Sequence, residues 1–126
     1  MKRTVIGAVF IIVAVSVGII SLISINKTCD SIVNAIDILS YSVESKDKNA
    51  VSENNDNLYE LWNRKKYILH VLTNHAEMQD LEISMEKIKY YGEKNEFSSL
   101  IEECETCRDN IEHVKDSAKP SISNIF

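Results

Sequence analysis

Helix-breaking residues are scarce in this sequence. It has three glycines and one proline, and neither type occurs between Ile25 and Val43. That excludes a hinge there, and no stretch alternates in the two-residue rhythm of a strand. Low-complexity tracts and internal repeats are absent as well. So are the short signatures of chemistry: there is no G-x-S-x-G, phosphate loop, H-E-x-x-H or calcium loop. No basic patch is present, and the net charge is −5. Nucleic-acid binding draws its affinity from Lys and Arg neutralising phosphates, so an acidic chain of this kind is not expected to bind nucleic acid.

Charge is also missing from Thr4 to Ile25, an almost wholly apolar run behind Lys2 and Arg3. As a helix it would extend roughly 33 Å, enough to cross a hydrocarbon core of about 30 Å. Thr4, Ser16, Ser21 and Ser24 can return their hydroxyls to helix carbonyls, and Gly7 and Gly18 are tolerated in such helices. A cleaved secretory signal has a shorter apolar core and a small-residue cleavage site. Ser21-Leu22-Ile23-Ser24-Ile25 offers no such site, and no lipoprotein box precedes Cys29. The run is therefore expected to be an uncleaved anchor. Lys2, Arg3 and the amino terminus lie before it, so residues 1–3 are expected in the cytoplasm, 4–25 in the cell membrane and 26–126 outside. Without Lys2 and Arg3 the outer part carries a net charge of −7.

Beyond the run, apolar positions continue at Ile25, Cys29, Ile32, Ile36, Leu39 and Val43 with four–three spacing, the seam of a helix packed on other helices. The anchor is thus expected to continue outward as one rod to about Glu44. Helices are expected over 26–44, 50–75, 80–91 and 96–117. The second carries the stripe Leu58, Leu61, Trp62, Ile68, Leu69 and Leu72, although Glu53 to Asn57 is a weak helix former. Ala76 to Gln79 reads as a turn, Asp80 as an N-cap and Gly92 as a terminator. Asn95 reads as the cap of a fourth helix with Glu96 in its first turn. The seam of that helix is Phe97, Leu100, Cys104, Cys107, Ile111 and Val114, and its end is marked by Pro120. The architecture is all-α: an N-terminal transmembrane helix continuing into a small antiparallel bundle of about four helices. Ile125 and Phe126, large and apolar at the end of the chain, are expected to dock back on the bundle.

Three cysteines are an odd number for an oxidising compartment. Cys104 and Cys107 form a C-x-x-C, but mid-helix and with no strand nearby, unlike the redox motif that opens a helix. Core packing is the main expectation, with a structural disulfide or redox or metal work as alternatives. Cys29 also lies on a seam, close to the membrane and far from Cys104, so those two are not expected to pair; a Cys29 bond between two chains stays open. His70 and His75 are five residues apart, about 140° around a helix, which does not make a metal pair. His75 and His113 read as helix-end or surface residues. Trp62 reads as a large core residue, or as a partner-binding anchor. No catalytic, cofactor-binding or metal set emerges, and no small-molecule substrate is indicated.

The order of segments resembles a known family. It is carried by Met1-Lys2-Arg3 before the charge-free run, Leu61-Trp62-Asn63-Arg64-Lys65-Lys66, and Leu81-Glu82-Ile83-Ser84 leading to Tyr90-Tyr91. Ser99-Leu100-Ile101, Ile111-Glu112-His113-Val114 and the closing Ser123-Asn124-Ile125-Phe126 complete it. Together they are similar to domain-of-unknown-function family 4363, small single-pass bacterial membrane proteins found mainly in clostridia. The resemblance covers essentially the whole chain and implies no activity or cofactor. The cysteines are not part of the family's pattern, which implies against a redox role. The expected function is a non-enzymatic protein-interaction or structural module, binding another protein or itself. The rivals are a thiol-redox or metal-responsive membrane protein using Cys104 and Cys107, and a minimal sensor bundle acting through a partner.

Overall fold

A computed structural model describes the backbone of residues 1–123 and the side chains of residues 1–117. The expected docking of Ile125 and Phe126 lies outside the described residues. Four helices follow one another: α1 Lys2–Glu44, α2 Lys48–Leu72, α3 His75–Glu93 and α4 Phe97–Ser123. The described residues form no strand. α1 packs on α2 and α4, and α3 packs on the same two, which closes an up-and-down bundle.

α1 is one unbroken helix from the apolar run into the bundle. Its buried side chains include Ile25, Cys29, Ile32, Ile36, Leu39 and Val43, the whole seam read from the spacing. α4 buries Leu100, Cys104, Cys107, Ile111 and Val114. α2 buries Val51, Leu58, Trp62 and Leu69, with Leu61, Ile68 and Leu72 half-buried. α3 contributes Met78, Leu81, Met85 and Ile88. Each helix thus turns one three–four stripe inward, and the four stripes share one core.

The boundaries of α2 and α3 differ from those expected. α2 starts at Lys48, because Asp47 is extended and its carboxylate accepts the Ala50 N–H at 3.1 Å, a side-chain cap. The Asn-rich stretch 54–57 is helical. Asn54 donates to Ser42 Oγ on α1 and Asn55 Nδ2 donates to the Lys89 carbonyl on α3 at 3.3 Å, so tertiary bonds offset its weak propensity. α2 ends at Leu72, where Thr73 turns extended and Asn74 caps α3 by accepting the Glu77 N–H at 2.8 Å. Ala76 to Gln79, expected as a turn, therefore form the first turns of α3, and Asp80 lies inside it. His75 opens α3 and does not close α2.

Gly92 does not terminate α3, which runs on to Glu93. Its role is close approach: a Cβ built on it would collide with the Asn55 amide. The stop comes at Asn95, whose φ is 56°. There Asn95 N–H donates to the Gly92 carbonyl at 3.4 Å and Glu96 N–H to the Tyr91 carbonyl at 3.0 Å, the Schellman pair of bonds. α1 ends in the same way at Lys46, φ 57°, with Lys46 N–H donating to Val43 O and Asp47 N–H to Ser42 O. Asn95 therefore closes α3 and does not cap α4, and Glu96 lies ahead of the first turn of α4. Pro120 lies within α4, which continues to Ser123; a proline lacks an N–H and so forfeits one helix bond.

Candidate functional site

Ion pairs on the outer edges set the register of α1 against α4. Arg108 lies 2.7 Å from Asp37, and Lys115 lies 2.7 Å from Asp30. The residue numbers in both pairs add to the same total, as required of two antiparallel helices in one register. Arg108 and Asp37 are each about half exposed, so these pairs fix alignment more than they stabilise.

All three cysteines are free and buried, with Cys29 and Cys107 at 0% and Cys104 at 1% exposure. The register places Cys29 opposite the region around Lys115, about 18 Å along the bundle from Cys104, beyond disulfide reach. Burial pushes the Cys29 and Cys104 thiols up to about 11 and the Cys107 thiol up to about 12, each mainly by desolvation. A thiolate is the nucleophile and metal ligand, so a thiol held protonated in this way is poorly suited to either task. Among the described residues no three His, Cys, Asp or Glu side chains converge where they could hold a metal ion.

Trp62 is 2% exposed and lies in the shared core, so it is not available as a surface anchor. The histidines are dispersed. His70 Nε2 lies 2.9 Å from Glu82 Oε1, tying α2 to α3, and His113 Nε2 lies 3.5 Å from Glu77 Oε1. Glu77 also accepts from Ser117 at 3.1 Å, tying α3 to α4. Tyr59 donates to Glu86 at 2.7 Å while the Lys89 ammonium sits 4.3 Å above its ring. None of these bridges is legible in the sequence, because each depends on the register of two helices, which periodicity within either helix does not give.

Surface concavities remain, one of them about 420 Å³ where the end of α1 meets the start of α4 at Val43, Phe97 and Ile101. A groove of about 340 Å³ between α1 and α4 is lined by Ile36, Asp37, Ser40, Tyr41, Cys104 and Arg108, among others. Tyr41 stands at its rim, 72% exposed. A groove of about 270 Å³ lies at the other end of the bundle, where Tyr67, Ile68, Val71 and Leu72 of α2 meet Ser24 of α1. The groove beside Tyr41 mixes an aromatic, an ion pair and aliphatic carbon, as protein-binding surfaces do.

α1 itself is the remaining feature. It is long and apolar enough to cross a bilayer, and no residue of its most apolar stretch is buried by the rest of the molecule. The chain belongs to the family described as Domain of unknown function (DUF4363), whose sequence pattern matches residues 19–125. No curated protein and no solved structure matches it.

Proposed function

We propose that this member of the DUF4363 family is a single-pass membrane protein whose bundle, held outside the cytoplasm, serves as a protein-interaction or structural module. The observation that carries this reading is the continuity of α1. Side chains such as Phe10 and Ile11 are 71% and 66% exposed, and the same helix then buries Ile25 to Val43 in the bundle core. Exposed apolar surface on that scale costs free energy in water, and lipid removes the cost. Lys2 and Arg3 ahead of the run favour a cytoplasmic N-terminus. A helix without a joint would hold the bundle at fixed orientation beside the membrane, which suits presentation of a surface to a partner.

The groove beside Tyr41 is the surface we assign to that partner, a second protein or a second copy of the chain. The rival thiol-redox reading gains nothing from three buried, protonated thiols. Two experiments in cells test the proposal. A Lys94→Cys variant should react with a membrane-impermeant maleimide in intact cells; reaction only after permeabilisation would reverse the orientation. A photo-crosslinking residue at Tyr41 should trap a defined protein band, and absence of any adduct there would remove the interaction role.

A further inference from the structure

The bare part of α1 is shorter than a membrane. From Thr4 to Ile20 every side chain is exposed except Val15 and Gly18, whereas Ser21, Leu22 and Ser24 are half-buried and Ile25 is buried. That bare length is about 25 Å, and the hydrocarbon core is about 30 Å thick. A chain that spans must therefore bring the foot of the bundle into the edge of the bilayer.

The foot is suited to that position on one side. At the C-terminal end of α2, Val71 is 80% exposed and Tyr67 63%, both lining the groove that Ser24 of α1 completes. This apolar surface meets α1 at Ser24, one turn above the bare stretch. Just farther from the membrane, within one turn of Tyr67, stand Arg64, exposed, and Lys65 and Lys66, half-buried. From Leu61 to Leu72, α2 has those three cations and no carboxylate, whereas its first half carries Glu53, Asp56 and Glu60 against Lys48 alone. On the neighbouring start of α3, Glu82 is tied to His70 and Glu77 to Ser117, and Asp80 is an exposed carboxylate. Tyrosine at the interface, aliphatic carbon below it and basic residues above it are the order in which flanking side chains anchor a helix end at an anionic membrane surface.

We infer that the C-terminal end of α2 is seated in the membrane interface, with Tyr67 and Val71 against the upper acyl chains and Arg64, Lys65 and Lys66 at anionic phospholipid headgroups. The bundle then leans on the bilayer through α2. This rests on the membrane-anchored reading of α1, and the test separates the two.

The full chain is placed in vesicles of phosphatidylcholine and phosphatidylglycerol, with an environment-sensitive fluorophore on Phe10→Cys, Val71→Cys or Lys94→Cys; the unsubstituted chain, its thiols buried, gives the background. The label at 10 should be quenched by a nitroxide at mid-chain of the lipid. The label at 71 should be quenched by a nitroxide near the glycerol, and several-fold less than the label at 94 by aqueous iodide. Changing Arg64, Lys65 and Lys66 together to Gln should weaken lipid quenching at 71, and unchanged quenching overturns the headgroup contact. Iodide quenching at 71 equal to that at 94, with lipid quenching retained at 10, overturns the seating and leaves the anchor standing. Loss of lipid quenching at 10 overturns both.

Discussion

Asn55 and Gly92 illustrate how single residues specify this bundle. Asn55 is 2% exposed and fits against α3 only because residue 92 has no side chain. Gly92→Ala gains helix propensity but forces the amide aside, and a net loss of about 2 kcal/mol is expected in denaturant unfolding. Asn55→Ala in the same chain should recover part of that loss, so the two changes should be clearly non-additive. The thiols make a second prediction. An acid whose pKa is raised by folding keeps its proton after the unfolded chain has lost it. Its contribution is therefore complete below the ordinary value of 9.0 and falls as pH rises, levelling at about 11 for Cys29 and Cys104 and about 12 for Cys107. Cys107→Ala should leave a cavity and lower stability near neutrality, yet its further loss on going from pH 8 to pH 10 should be smaller than that of the unsubstituted chain by about 1.4 kcal/mol. Parallel pH profiles for the two proteins would contradict the raised thiol.

At the scale of the helices, the ends carry the information that periodicity lacks. Lys46 and Asn95 both hold left-handed backbone at a Schellman stop. A β-carbon there is unfavourable, less so for Asn, so Lys46→Gly should raise stability by about 1 kcal/mol and Asn95→Gly by less, read as shifts in denaturation midpoint. The seams of α1 and α4 were legible because each repeats four–three spacing over several turns. The junction between α2 and α3 was not, because its decisive residue is Asn74: one hydrogen bond to Glu77 starts a helix where the chain reads as a turn. Gly92 misled for a related reason. Glycine serves both to stop helices and to admit a neighbour, and only the position of Asn55 across the interface tells which. The bridges Asp37–Arg108 and Glu77–Ser117 were beyond reach for want of the register between helices, whereas the seam cysteines read as core residues are buried in that core.

For the whole molecule, the outer half of α1 is a wall of the bundle, packed on both α2 and α4. A chain begun at Asn26 keeps Cys29 to Val43 and should melt cooperatively. One begun at Leu58 leaves Trp62, Leu69, Cys107 and Ile111 without that wall and should melt broadly or remain unfolded by circular dichroism. The apolar segment and this wall should behave as one rigid helix. Amide hydrogen exchange, resolved by residue on the full chain in lipid nanodiscs, tests it directly. One rigid helix gives unbroken protection from the membrane segment through Ser21 to Leu39; a fast-exchanging break between Ile20 and Thr28 would mean that the anchor is a flexible tether instead.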